Sequence, residues 1–165
     1  MKKKLLLSLC LMAIAVVAFC LWYTRPQTFW QATGMDRDNI TGASGYAIKT
    51  SVTDGVASQQ TWMLNDLTSG QEDYKALLKL LEGTTYRASL QNLLPASSSH
   101  SADPVTATAS FALGNELVSV HADYPDKVWI ISSMRSRTLI FSVSPRDLNE
   151  TLADFIQQQG VAGNS

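Results

Sequence analysis

Cysteine is missing from most of this chain. Only two of its 165 residues are cysteine, Cys10 and Cys20, and both sit in one apolar stretch near the N-terminus. Residues 24–165 therefore offer no disulfide, no thiolate metal site and no cysteine nucleophile. Without cross-links, a domain of this size is held by buried apolar area, at about 25 cal/mol per Å². Exported domains in oxidising compartments often carry disulfides, so their absence points to a bacterial envelope protein.

Other signatures are absent too. There is no glycine-rich phosphate loop, no HExxH and no acidic pair at a defined spacing, which leaves no motif for a nucleotide, a metal or another cofactor. Positive charge is scarce after Lys4. Residues 24–165 carry 10 basic and 14 acidic residues, a net charge of −4. Such a domain lacks the basic face that nucleic acid or an anionic membrane surface requires. No internal repeat and no second domain are visible.

What the chain does have is grease at its start. Lys2, Lys3 and Lys4 precede an apolar run over residues 5–23 in which Ser8 is the only clearly polar residue. As a helix this run predicts a length of about 28 Å, close to the roughly 30 Å hydrocarbon core of a bilayer. Trp22 and Tyr23 suit the headgroup zone, and the lysines keep the N-terminus cytoplasmic. The expectation is a single-pass transmembrane helix embedded in the lipid bilayer through residues 5–23, with an extracytoplasmic C-terminal domain. Two alternatives use the same residues. One is a signal sequence cleaved after Val16-Val17-Ala18, giving a secreted product. The other is a lipoprotein lipidated at Cys20, although Phe19 occupies a position that wants a small residue.

The domain pattern is then an anchor over 1–24, a linker over 25–39, one α+β domain over 40–160 and a frayed tail over 161–165. Strands are expected at 40–53 and 56–64 around the turn Asp54-Gly55. Tyr46 and Ile48 share one face of the first. Ser69 and Glu72 match a capping box, and Tyr74, Leu77, Leu78 and Leu81 draw one helical stripe. Residues 84–94 are ambiguous, and 96–104 read as a flexible polar loop. Four strands follow at 105–113, 116–124, 127–134 and 138–143. The apolar run Val128-Trp129-Ile130-Ile131 predicts a strand covered on both faces. Ser144 and Pro145 open a last helix with Leu148, Leu152, Phe155 and Ile156 inward. The order ββ-α-ββββ-α predicts an antiparallel sheet of five or six strands with two amphipathic helices packed on it.

Several polar groups are candidate sites. Ser119, His121 and Asp123 have the residue types of a catalytic triad. They alternate along one strand at roughly 6–7 Å spacing, beyond hydrogen-bond reach of each other, so a solvated strand face accounts for them. An envelope hydrolase using His121, or His100 with Asp103, is the alternative. Arg135 and Arg137 at a hairpin tip, with Arg146 after the next strand, would grip a carboxylate or phosphate if they converged. Tyr86 and Arg87, with Trp62 and Trp129, would line a groove if they faced one another; aromatics at such positions are otherwise core. The expected function is a non-catalytic binding or assembly module of the cell envelope. Its partner is another envelope protein, a peptide or a cell-wall component, held in one mode by addition of an extended segment to a strand edge.

Overall fold

The structure, a computed structural model, describes residues 2–94, 103–133, 135 and 138–163, with side chains from Leu7 onward. Helix α1 (Lys2–Tyr23) leads into strand β1 (Pro26–Gln27), helix α2 (Phe29–Thr33) and a 3-10 turn (Arg37–Asn39). A long hairpin follows, β2 (Gly42–Thr53) and β3 (Val56–Leu67), then helix α3 (Glu72–Glu82) and strand β4 (Thr85–Ala88). After a second 3-10 turn (Leu90–Leu93), four strands run in succession: β5 (Val105–Leu113), β6 (Glu116–Tyr124), β7 (Lys127–Ser132) and β8 (Leu139–Ser144). Helix α4 (Leu148–Gln159) and strand β9 (Val161–Ala162) close the chain.

All the strands join one antiparallel sheet of nine, ordered β1-β4-β8-β7-β6-β5-β2-β3-β9. The expected five or six strands, two packed helices and order ββ-α-ββββ-α are corrected accordingly. The extra elements are short. β1 and β9 have two residues each, β4 has four and α2 has five, too few for a period to show. The segment read as a linker over 25–39 is built into the sheet and its helical layer. Phe29 is fully buried there, and Trp30 Nε1 donates to Glu82 Oε1 of α3 at 2.9 Å.

The single-pass expectation is also overturned. Among the described residues no helix is long and apolar enough to cross a membrane. The anchored topology that rested on that span falls with it. The secreted alternative never depended on it.

Helices α2, α3 and α4 pack on the same face of the sheet. Under α4 the sheet is floored by small residues, Ala43, Gly45 and Ala47 of β2 and Ala107 and Ala109 of β5. This floor lets Leu152 and Ile156 approach the backbone, and both are fully buried. Under α2 and α3 the floor is larger. Phe29 lies 5.7 Å from the Phe111 ring and 6.0 Å from the Tyr86 ring, centroid to centroid. The α3 stripe Tyr74, Leu77, Leu78 and Leu81 is buried as its spacing implies.

Local caps differ from expectation. Helix α3 starts at Glu72 with Gln71 as its cap residue, and the Gln71 side chain instead accepts from Thr68 N–H at 2.8 Å. Asp147, not Ser144, precedes α4, because Ser144 is spent as the last residue of β8.

The opposite sheet face carries no helix among the described residues. Across β2, β5, β6 and β7 the register sets Tyr46, Thr108, His121 and Trp129 side by side on it. Strand β7 is therefore covered on one face only. Val128 and Ile130 are buried, while Ile131 remains 43% exposed.

Candidate functional site

Ser119, His121 and Asp123 do share the open face of β6, but the hydrogen bonds of the first two run across the sheet. Ser119 Oγ pairs with Ser110 Oγ at 2.8 Å, and His121 Nδ1 with Thr108 Oγ1 at 3.1 Å. Both partners stand directly opposite on β5. A register shift between His121 and Tyr124 then puts one extra residue into β6 beside Asp123. The strand thus presents a hydroxyl ladder rather than a nucleophile aligned with its base.

His121 is half-buried, and desolvation lowers its pKa despite the nearby Asp123 carboxylate, which raises it. The neutral ring is the favoured form in the fold. The unfolded chain then binds the proton more readily, so stability rises with pH across this titration. We expect the full contribution above about pH 6.5, the ordinary histidine value, and its loss as pH falls through the lower folded value. Thermal melts between pH 7.5 and 5 should show the decline, and His121→Gln should flatten it.

The arginines do not gather. Arg135 lies in the loop before β8 and Arg146 follows its far end, so a six-residue strand, roughly 17–20 Å long, separates them. The guanidinium of Arg135 covers Gly34 at the end of α2, in the space a side chain there would need. Arg137 and His100 lie outside the described residues. Tyr86 is fully buried, its hydroxyl donating to the Leu81 carbonyl at 3.1 Å, and burial pushes its phenol up. Arg87, its neighbour on β4, is exposed on the other side of the sheet. Trp62 and Trp129 are likewise on opposite faces, so no groove unites these four.

The β2–β3 hairpin reaches beyond the described strands on either side of it. Strand β2 stays with β5 only as far as Lys49, after which Thr50 N–H donates to Pro104 O at 2.7 Å. On the outer side, β9 pairs with Trp62 and Met63, and Gly163 N–H donates to Thr61 O at 2.8 Å. Among the described residues, 51–60 extend past both neighbours as a two-stranded arm, every one of them exposed. Asp54 and Gly55, at φ 54° and 80°, close it with the left-handed turn their sequence implies. Ser51 and Ser58 join hydroxyls across it at 2.7 Å.

The arm has a defined polarity. Since Thr61 O faces outward to the tail, alternation turns the N–H and C=O of Gln59 and Ala57 outward too, and those of Gln60 and Ser58 toward β2. Among the described residues no strand pairs with that outer edge before Thr61. Residues 56–61, Val-Ala-Ser-Gln-Gln-Thr, contain no charge and no proline. Natural edges are normally blunted by lysine, proline or a bulge. Here the only bulge comes later, near Asn65 and Asp66. Strands β2 and β3 have 12 residues each, whereas β5 and β6 have nine.

Among the described residues no three His, Cys, Asp or Glu side chains cluster to hold a metal ion. No family model, curated protein or solved structure matches this chain.

Proposed function

We propose that this protein is a non-catalytic binding module that captures an extended peptide segment by strand addition along β3. One observation carries the reading: the outward backbone groups of Ala57 and Gln59 form a ready ladder on an uncharged, proline-free edge. A segment laid antiparallel there gains main-chain hydrogen bonds worth about 0.5–1.5 kcal/mol each. Side chains alternating on the two faces of the arm would supply selectivity, and Val52 and Val56, each 69% exposed, are its apolar contacts. The ladder of Ser119 with Ser110, and of His121 with Thr108, supports a site that holds rather than cleaves.

The test uses backbone chemistry. Gln59→Pro removes an outward N–H that bonds to no described residue of the sheet, so the fold should keep its melting temperature. Gln60→Pro removes an inward N–H and should loosen the arm. Peptides selected from a displayed random library on the native chain should bind it, come off uncut, and lose at least about tenfold in affinity for Gln59→Pro, about 1.4 kcal/mol. Equal binding to both proteins would rule out strand addition.

A further inference from the structure

At the other end of the hairpin from the arm, β3 departs from its register. Ala43 pairs with Leu67 but Gly45 with Leu64, so one additional residue is accommodated at Asn65 and Asp66. Asp66 takes it up with φ 58°, a left-handed conformation uncommon outside glycine and best tolerated by Asn and Asp. The bulge borders a groove of about 550 Å³ at the margin of the open sheet face. That is within the range of small-molecule sites.

The walls of this groove combine polar groups with an apolar patch. Ser44 supplies a hydroxyl, Ser110 one already paired with Ser119 Oγ, Asn65 an amide and Asp66 a carboxylate, while Leu117 gives an apolar patch. Among the described residues no lysine, arginine or histidine lines it. A carboxylate with no cation beside it among the described residues repels phosphates, sulfates and acids, while it accepts strong hydrogen bonds from neutral hydroxyls. Hydroxyl-rich walls around an apolar patch match a ligand with polar edges and a C–H face. Two residues along β2 from Ser44, on the same face, stands Tyr46, 39% exposed and roughly 6–7 Å farther on. Its ring is placed to support a second unit of a chain begun in the groove.

From this we infer a second binding site, independent of the strand-addition edge, that takes a neutral oligosaccharide with one sugar unit beside Asp66 and the next against Tyr46. Charge decides the ligand class, through Asp66, and the aromatic platform sets a length of more than one unit.

The experiment is a titration of the full chain, followed by NMR shifts and calorimetry. The probes are neutral tetrasaccharides of glucose, N-acetylglucosamine, mannose and xylose, with a tetramer of galacturonic acid as the anionic counterpart. We expect at least one neutral probe to bind at millimolar concentration or below, and the anionic one not to bind. Asp66→Asn keeps a residue tolerant of the left-handed backbone; it should weaken the neutral ligand about tenfold and relax the exclusion of the acid. Tyr46→Ala should weaken the tetrasaccharide more than the monosaccharide. Gln59→Pro should bind saccharide like the native chain, which separates failure of this site from failure of the peptide edge. The inference is overturned if no neutral probe binds, if the acid binds equally well, if Asp66→Asn changes nothing, or if calcium alone shifts the groove resonances.

Discussion

Phe29→Ala is expected to destabilise the protein by about 3–5 kcal/mol, the usual cost of emptying a buried aromatic site. The residue is fully enclosed, with ring centroids of Trp30, Phe111 and Tyr86 at 5.0, 5.7 and 6.0 Å. Its neighbours cannot close in easily. Tyr86 is pinned through its hydroxyl to Leu81 O, and Phe111 sits mid-sheet in β5. Equilibrium urea unfolding measures the loss directly. For a chain of this length the melting temperature should fall by roughly 6–20 °C. A change below about 1 kcal/mol would mean that residues 26–39 are not part of the cooperative unit, contrary to the packing of α2.

Gly45→Val should cost about 1–3 kcal/mol, by overpacking. A Cβ at this position would lie 2.9 Å from Ile156 Cγ1 and 3.0 Å from Ile156 Cδ1, closer than packed carbons approach. The two side chains compete for one volume, so the effects should not add. Ile156→Ala alone empties a buried site and costs about 2–5 kcal/mol, yet in combination the valine reoccupies part of that space. A double-mutant cycle should show the pair more stable than the sum of the single losses by at least about 0.5 kcal/mol. Strict additivity would place α4 elsewhere on the sheet.

How much of this was legible in the residues follows from what each pattern can encode. The α3 stripe was plain, since Tyr74, Leu77, Leu78 and Leu81 repeat the helical period and all face the sheet. The alternation of Val118, Val120 and Ala122 likewise named the buried side of β6. On β2 the size of the side chains does not tell which face is buried. Tyr46 and Ile48 share the open face, and the buried one belongs to Ala43, Gly45 and Ala47, whose smallness suits the helix above them. Hydropathy registers the size of an apolar residue but not the space available to it. In β7 a continuous apolar run suggested cover on both sides, and Ile131 simply stays exposed.

The sites were less readable than the core. Residue types near Ser119 and His121 resembled catalysis, but their partners were set by register with β5, which no linear spacing contains. Whether Arg135 and Arg146 could converge depended on the direction of β8 between them, which sets them a strand length apart. The edge of β3 and the Asp66 bulge depend on where neighbouring strands stop and slip, and both are properties of pairing rather than of any one segment.

The strand order also dictates how this chain can assemble. β5 through β8 form a meander in which each strand follows its partner directly, so those closures span few residues and come early. The seam between β2 and β5 joins Gly42 to Ala112, and that between β4 and β8 joins Ala88 to Phe141, each bridging a long excursion. Such distant seams slow the search for the native state. We expect the meander to act as the nucleus and the β2–β3 hairpin to dock onto it afterwards.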